Sequence, residues 1–378
     1  MPGSLRIGSL AGIDIYVHVS WLVALVLLTV STASGWFPRA YPGYSGFTYI
    51  LLGLISAILL FLSVLLHELA HSVVARSRGL AVKNIVLFIF GGVSNIEEEP
   101  HSPGVEFQMA FVGPLVSLLI GLIAYLLLLP LGGRPSPLAA ILGYLAVSNV
   151  LLGIFNLVPG FPLDGGRVLR SIVWKVTGNI NRATQVATLV GQGIGYLFIL
   201  LGIWLFFGSD TLDGIWLAFI GWFMLSGAQA VRAQSTIDAA FSGVTVEQIM
   251  NRNVTTVPAN VSLQKLVDEY FLPQGLRSVL VMQGEVLAGL ITLGDIRHVP
   301  REEWGTTPVG ITMVPVEKLH VISPGQSVKE ALPLMTGQDV NQLPVVQDGK
   351  LVGVLTRDAI MRALEIRRSL GLDQRKTA

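Results

Sequence analysis

Residues 50–71 read ILLGLISAILLFLSVLLHELAH, an apolar run that ends in an H-E-x-x-H motif. Residues 50–66 carry no charged side chain. A run of this length approaches the roughly 20 residues that a helix needs to cross a hydrocarbon core. Ionisable groups inside a membrane span are costly and usually functional. The run therefore predicts a membrane-spanning helix that carries a functional site.

The motif has the composition of a metal site. Residues four apart lie on one helix face, so His67 and His71 can reach the same ion. Glu68 between them can act as a general base for hydrolysis. A catalytic zinc site usually has three protein ligands and one open position, so a third ligand must come from elsewhere. The chain has no cysteine, which leaves His, Asp and Glu as the expected ligand types.

The best candidate for the third ligand is Asp164, in the segment NLVPGFPLDGGR of residues 156–167. Pro159 and Pro162 interrupt a helix there, and the glycine pair that follows Asp164 allows a close backbone approach. An aspartate beside two glycines is more often ordinary turn chemistry. The predicted membrane depth and the missing ligand favour the metal role here.

Two asparagines lie near the predicted site. Asn156 is a candidate side-chain donor to the oxyanion that develops during peptide hydrolysis, and we assign it that catalytic role. The alternative for Asn156 and for Asn149 is a hydrogen bond that holds neighbouring helices together. We favour this alternative for Asn149.

Composition indicates a membrane protein. Of 378 residues, 52% are hydrophobic and 13% are charged, whereas soluble chains carry about 25% charged residues. Net charge is +1, without a basic arm, so no nucleic-acid partner is expected. The lipid bilayer is the expected environment. Six apolar runs predict membrane spans at residues 17–37, 50–75, 107–131, 138–158, 185–207 and 212–231.

Lysine and arginine mark the predicted orientation. With the N-terminus in the cytoplasm, nine of the eleven Lys and Arg residues at the short loops lie inside, as the positive-inside rule requires. Both termini are then cytoplasmic. His67 lies nine residues before Arg76, about 13 Å deeper along a helix. The site is predicted to be submerged but reachable from the cytosol.

Residues 83–95, KNIVLFIFGGVSN, predict a β-hairpin around Gly91 and Gly92 between the second and third spans. An unpaired edge of such a hairpin can bind an extended substrate by strand addition. The alternative is an interfacial hairpin with a buried edge, and the sequence leaves both open.

Beyond residue 243 the character of the chain changes to short β-branched stretches that alternate with helical segments. LAGLIT at 287–292 is echoed by LVGVLT at 351–356. Two copies of about 60 residues predict paired α/β modules that pack together, rather than a solenoid. The predicted fold class is therefore a polytopic α-helical membrane domain of about six transmembrane helices, followed by a soluble α/β domain pair.

These motifs together resemble the site-2 protease family of intramembrane zinc metalloproteases. The H-E-x-x-H span, the Gly91-Gly92 hairpin, Glu106 with FVGP at 111–114, and the segment of residues 156–166 occur in the family's order. The resemblance implies one zinc ion (Zn2+) per chain. Its ligands would be His67, His71 and Asp164, and Glu68 would be the catalytic acid and base.

The resemblance also implies a substrate class. Family members cut a transmembrane helix of a single-span partner, such as an anti-sigma factor or a membrane-bound transcription factor precursor, in regulated intramembrane proteolysis. The expected location is the cell membrane of a bacterium or archaeon.

The C-terminal repeat resembles tandem CBS domains, which often bind adenine nucleotides such as ATP. In that family a Thr, and an Asp three residues later, hold the ribose; Thr292 and Asp295 match. In the second copy Thr356 is followed by Asp358, one position early, so one nucleotide site departs from the pattern. The pair is expected to regulate the enzyme or to form a homodimer. The predicted domains are a protease domain at 1–232, a linker at 233–243, CBS domains at 244–306 and 307–368, and a polar tail at 369–378.

Two other functions are alternatives to the protease. A catalytically inert membrane binding protein would not need the intact motif with Asp164. A CBS-regulated transporter predicts polar residues distributed over several spans, whereas here they cluster at the second and fourth. We therefore predict the protease.

Overall fold

A computed structural model of the protein describes residues 3–96, 98–132, 136–208, 211–337 and 340–370. The chain divides into two compact units, Met1–Ala233 and Gln234–Ala378. The polar tail predicted for residues 369–378 lies outside the described residues from residue 371 onward.

The first unit is mainly helical. Among the described residues, six helices are long and apolar enough to cross a membrane, which confirms the predicted fold class. Their exposed side chains are largely Leu, Ile, Val and Phe, a surface that suits lipid. The helices are α1 (Ser20–Ala40), α2 (Gly46–Ser77), α3 (Pro103–Leu131), α4 (Pro137–Asn156), the shorter α5 (Asp164–Thr177), α6 (Ile180–Gly208) and α7 (Thr211–Ala240).

A four-stranded sheet accompanies these helices, in the order β1 (Ser4–Leu10), β2 (Ile13–His18), β3 (Val82–Phe88) and β4 (Gly91–Ile96). The predicted hairpin is present as antiparallel β3 and β4, and β4 lies at one end of the sheet. The N-terminal residues form a second hairpin that the sequence did not predict, and its β2 pairs in parallel with β3.

Glycines allow α3 and α4 to pack closely. A Cβ atom on Gly121 would lie 2.9 Å from Val150, and one on Gly153 would lie 2.8 Å from Leu118. Small residues at such contacts are the usual way in which membrane helices approach each other. The contact holds α3 firmly beside the helix that leads to Asp164.

The second unit repeats one motif twice. Each copy has a β-hairpin followed by a helix, and each has its own hydrophobic core. The strands are β5 (Thr256–Pro258), β6 (Ser278–Gln283), β7 (Val286–Thr292), β8 (Val314–Pro315), β9 (Gln342–Gln347) and β10 (Lys350–Thr356); the helices after the hairpins are α8 (Leu293–Ile296) and α9 (Arg357–Ser369). The two hairpins join in one sheet, in the order β5-β6-β7-β10-β9, with β8 paired to β7.

Candidate metal centre

The three predicted ligands lie together. Nε2 of His67 is 3.0 Å from Oδ2 of Asp164, and Nε2 of His71 is 3.2 Å from the same oxygen. The candidate ligand atoms all lie within 4.8 Å of one another. Both histidines are buried, at 4% and 8% exposure, on the inward face of α2. Asp164 is the first residue of α5.

The hydrogen-bond partners of His71 show that a proton or a metal ion must lie between its Nε2 and the Asp164 carboxylate. Nδ1 of His71 lies 2.6 Å from the backbone carbonyl of Met109, which can only accept a hydrogen bond. That nitrogen therefore carries a ring proton, and Nε2 is the atom that faces the Asp164 carboxylate. Two acceptors at this distance repel unless a second proton or a metal ion lies between them.

The spacing suits zinc. Zinc binds His and Asp at about 2.0–2.2 Å, so two ligand atoms of a tetrahedron lie roughly 3.3–3.5 Å apart. Small outward movements of the Asp164 side chain would reach that separation. Gly113 of α3 keeps space open in front of both rings, because a Cβ there would lie 2.2 Å from His71 Nε2 and 2.7 Å from His67 Nε2.

The outer partners of the histidines come from α3. Besides the Met109 carbonyl at His71, the Ser117 hydroxyl lies 2.9 Å from Nδ1 of His67. Such partners fix ring orientation and the protonation state of the ligating nitrogen. Neither partner was predicted from the sequence. For Ser117 the available signal was its spacing of four residues from Gly113, which places both on one helix face.

Glu68 is held by the edge strand β4. The Ser94 hydroxyl donates to Oε2 of Glu68 over 2.7 Å. A Cβ on Gly92 would lie 2.4 Å from Cγ of Glu68, so the strand contacts the stem of this side chain directly. The glycine thus explains how strand and helix approach so closely, and Ser94 fixes where the carboxylate points.

The tight loop before α5 positions Asp164 at the site. A Cβ on Gly165 would lie 2.3 Å from the Val158 carbonyl, and one on Gly166 would lie 2.4 Å from the Phe161 nitrogen. The glycine pair is therefore required by the packing of the loop onto the start of α5. Burial alone would raise the pKa of Asp164, but the charge of His71 and hydrogen bonds with both histidines outweigh it and hold the pKa below its ordinary range. Asp164 is thus a carboxylate, the form that binds metal.

The two asparagines hydrogen-bond within their own helix. The Asn156 amide donates to the Leu152 carbonyl, and the Asn149 amide to the Leu145 carbonyl, each over 3.0 Å. The interhelical bond favoured for Asn149 is not what the structure shows: its Oδ1 has no partner among the described residues. The catalytic role of Asn156 stays a prediction.

Comparisons with known proteins bear directly on this centre. The family model described as Peptidase family M50 matches residues 55–136 and 134–201. A relative from Synechocystis sp., which bears the provisional name zinc metalloprotease sll0528, is 37% identical over 97% of this chain and 96% of its own length. The chain belongs to peptidase family M50, the site-2 proteases. Its membrane helices and this membership make it an integral membrane protein of the metalloprotease class.

A second relative carries a similar name. Rip3 from Mycobacterium tuberculosis, also provisionally named a zinc metalloprotease, is 33% identical over 97% of this chain and 94% of its own length. The solved site-2 protease from Methanocaldococcus jannaschii is 29% identical, covers 61% of this chain and 95% of that structure, and has a TM-score of 0.41. The CBS domain model matches residues 246–302 and 311–366, which confirms the tandem CBS pair.

The CBS pair of this M50 peptidase contains a cleft of about 860 Å3 between its two repeats. Three of the four predicted nucleotide-binding residues line it: Thr292, Thr356 and Asp358. Asp295 is not in the lining; its carboxylate accepts hydrogen bonds from the Thr292 hydroxyl, over 2.7 Å, and the Thr292 backbone amide, in a capping box.

Two cations also line this cleft, Arg277 and Arg357. Neither arginine was predicted from the sequence to lie at this site. Comparison of the two repeats gives no sign of them, because neither arginine is repeated: Arg277 corresponds to Asn341 and Arg357 to Leu293 in the other copy.

Proposed function

We propose that this protein is an intramembrane zinc metalloprotease that hydrolyses a peptide bond in or near a transmembrane helix of a partner protein. The main support is a cluster of three candidate zinc ligands in a unit with membrane-spanning helices: His67, His71 and Asp164. Glu68 follows His67 directly in the sequence. Membership in family M50, with relatives named as zinc metalloproteases, favours it over a transporter.

Each residue of the site has its own role in the proposed hydrolysis. Bound zinc would polarise the scissile carbonyl and acidify a water molecule. Glu68 accepts a proton from the water and delivers it to the leaving nitrogen. Ser94 holds the Glu68 carboxylate in place for both transfers. The Asn156 amide has two hydrogens: one is donated to the Leu152 carbonyl, and the other would donate to the developing oxyanion.

The edge strand supplies a docking position for the substrate. β4 ends the sheet and contacts Glu68 through Gly92 and Ser94, so a substrate segment that adds to this strand would lie beside the catalytic base. We propose that Gly91 and Gly92 form this substrate-binding hairpin. A photo-crosslinker at exposed Val93 in an uncleaving variant tests the arrangement.

The proposed partner is a single-span membrane protein, such as an anti-sigma factor or a membrane-bound transcription factor precursor. We propose the cell membrane of a bacterium or archaeon as the location, with both termini and the CBS pair in the cytoplasm. The excess of Lys and Arg in the loops on that side supports this orientation.

Replacing Asp164 with Ala should weaken zinc binding at least about 100-fold, since loss of an outer-shell partner alone costs about 10–100-fold. The measurement is the zinc content of purified full-length protein after dialysis against a weak chelator. Asp213→Ala, at an exposed aspartate near the start of α7, is the matched control and should keep wild-type zinc. A wild-type protein without zinc, or full occupancy in Asp164→Ala, would overturn the proposed metal centre.

We also propose that the CBS cleft binds an adenine nucleotide such as ATP and thereby regulates the peptidase, and that the CBS pair forms a homodimer. Thr292, Thr356 and Asp358 offer hydroxyl and carboxylate groups to a ribose, and the two arginines offer charge to phosphates. The capping box gives Asp295 a structural role at Thr292 as well as its proposed place beside the ribose.

Calorimetry of the full-length protein should show saturable binding of AMP, ADP or ATP at or below millimolar concentration. Arg277→Gln should weaken the binding of the preferred nucleotide about 10-fold or more, because hydrogen bonds to charged groups contribute about 1.5–3 kcal/mol each. Arg301→Gln, at an exposed arginine outside the cleft lining, should leave affinity unchanged. Absence of binding for all three nucleotides would refute the proposed site.

A further inference from the structure

A buried ion pair joins two of the helices that build the metal centre and takes no part in the proposed chemistry. Nε of Arg170 donates to Oε1 of Glu106, and the two side chains are 9% and 1% exposed. Nη1 of Arg170 also lies 3.6 Å from Glu99, and its guanidinium carbon is 5.5 Å from the centre of the Phe161 ring. Arg170 therefore contacts α3 and the loop before Asp164 at once.

The pair joins the two helices that build the site. Glu106 lies in the first turn of α3, three residues before Met109, whose carbonyl orients His71. Arg170 lies in α5, the helix that begins with Asp164. The ion pair thus connects the helix that orients the histidines with the helix that supplies the carboxylate.

Stability alone is a poor reason for this pair. Withdrawing two charges from water is expensive, and well-packed apolar residues in place of a buried pair are often as stable or more so. Moreover, Oε2 of Glu106 is buried and has no hydrogen-bond partner among the residues that the structure describes. An incompletely satisfied pair is poorly suited to stabilisation, whereas the planar guanidinium of Arg170 is well suited to fixing a geometry.

We propose that Glu106 and Arg170 are positioning residues that fix the start of α5 against α3, so that the Asp164 carboxylate stays within reach of the ion held by His67 and His71. This inference rests on the proposed function in one respect, namely that the site holds zinc.

The test measures zinc release from full-length protein in detergent to an excess of a chromogenic chelator, together with thermal unfolding of the zinc-free protein. The variants are Glu106→Gln, Arg170→Leu and the double variant Glu106→Leu with Arg170→Leu. Each should release zinc about 10-fold faster or more. The double variant, without an unpaired buried charge, should unfold near the wild-type temperature when zinc-free.

Two further variants sharpen the comparison. Arg170→Lys keeps the charge but loses the planar fork, so its release rate should lie between those of wild type and Arg170→Leu. Lys175→Leu removes an exposed cation from the same helix and should release zinc at the wild-type rate.

Restored slow release in the folded double variant would overturn the inference, because a purely structural pair can be replaced by apolar packing. So would single variants that unfold earlier yet release zinc at the wild-type rate. A wild-type protein that binds no zinc would overturn the proposed function and this inference together, whereas wild type and variants that hold zinc equally well overturn the inference alone.

Discussion

Replacing Glu68 with Gln is expected to lower the rate of substrate cleavage by roughly 10²–10⁴-fold while zinc content stays at the wild-type level. The amide cannot accept a proton from water, so the step assigned to this residue is lost. Its size and place are preserved, because the Ser94 hydroxyl can donate to the amide oxygen as it does to Oε2 of the carboxylate. Glu68 is not among the three candidate ligands, so metal binding should not change.

The assay co-reconstitutes the enzyme with a single-span membrane substrate in vesicles and follows the cut product. Glu98→Gln, at an exposed glutamate, is the matched control and should cleave at the wild-type rate. Cleavage by Glu68→Gln within a few-fold of wild type would contradict the proposed base. Absence of cleavage by the wild-type protein on every substrate tried, with zinc bound, would favour the inert binding protein.

The same variant can show where the substrate lies. In the Glu68→Gln background, a photo-crosslinker at Val93 on β4 should capture the bound substrate. The control position is Ile7 on β1, which is exposed at the opposite end of the sheet. Equal capture at both positions, or capture at Ile7 alone, would contradict docking on the edge strand.

The helices of the membrane unit could be predicted because their signal is local. An apolar run of about 20 residues has few alternatives to a membrane span. The N-terminal hairpin also had a local signal, because apolar and polar residues alternate along Ile13–His18 and Gly12 precedes them. Its place in the sheet could not be predicted from this pattern, since β2 pairs in parallel with β3, roughly 70 residues further along the chain. Pairing between such distant strands depends on tertiary structure, which local sequence patterns do not indicate.

The candidate site was predictable to the extent that its residue types are distinctive. Histidines four apart and an aspartate between proline and glycine pairs stand out in an apolar chain, and the structure brings them together. The Met109 carbonyl could not be found in this way, because every residue has one. Glu106 and Arg170 are distinctive charges, but their contact spans 64 positions and follows only from how α5 packs on α3.

Replacing Gly113 with Ala should reduce zinc content at least about 10-fold and lower cleavage in parallel. The added methyl group would lie 2.2 Å from His71 Nε2 and 2.7 Å from His67 Nε2, in the space that the rings share with a metal ion. The rings have little freedom to move away, because Nδ1 of each is already held, by the Met109 carbonyl and the Ser117 hydroxyl. The measurements are metal content by elemental analysis and cleavage of the reconstituted substrate.

Helix propensity allows a clash with the histidines to be told apart from damage to the helix itself. Ala is favoured over Gly inside a helix by about 1 kcal/mol, so the substitution should not harm α3 itself, and any loss must come from the contact with the histidines. Gly104→Ala is the matched control on the same helix, since a Cβ there meets no atom within 4 Å. We expect that variant to keep wild-type zinc and activity. Full zinc occupancy in Gly113→Ala would mean that the metal binds away from the Nε2 atoms. The proposed ligand set of His67, His71 and Asp164 would then be wrong.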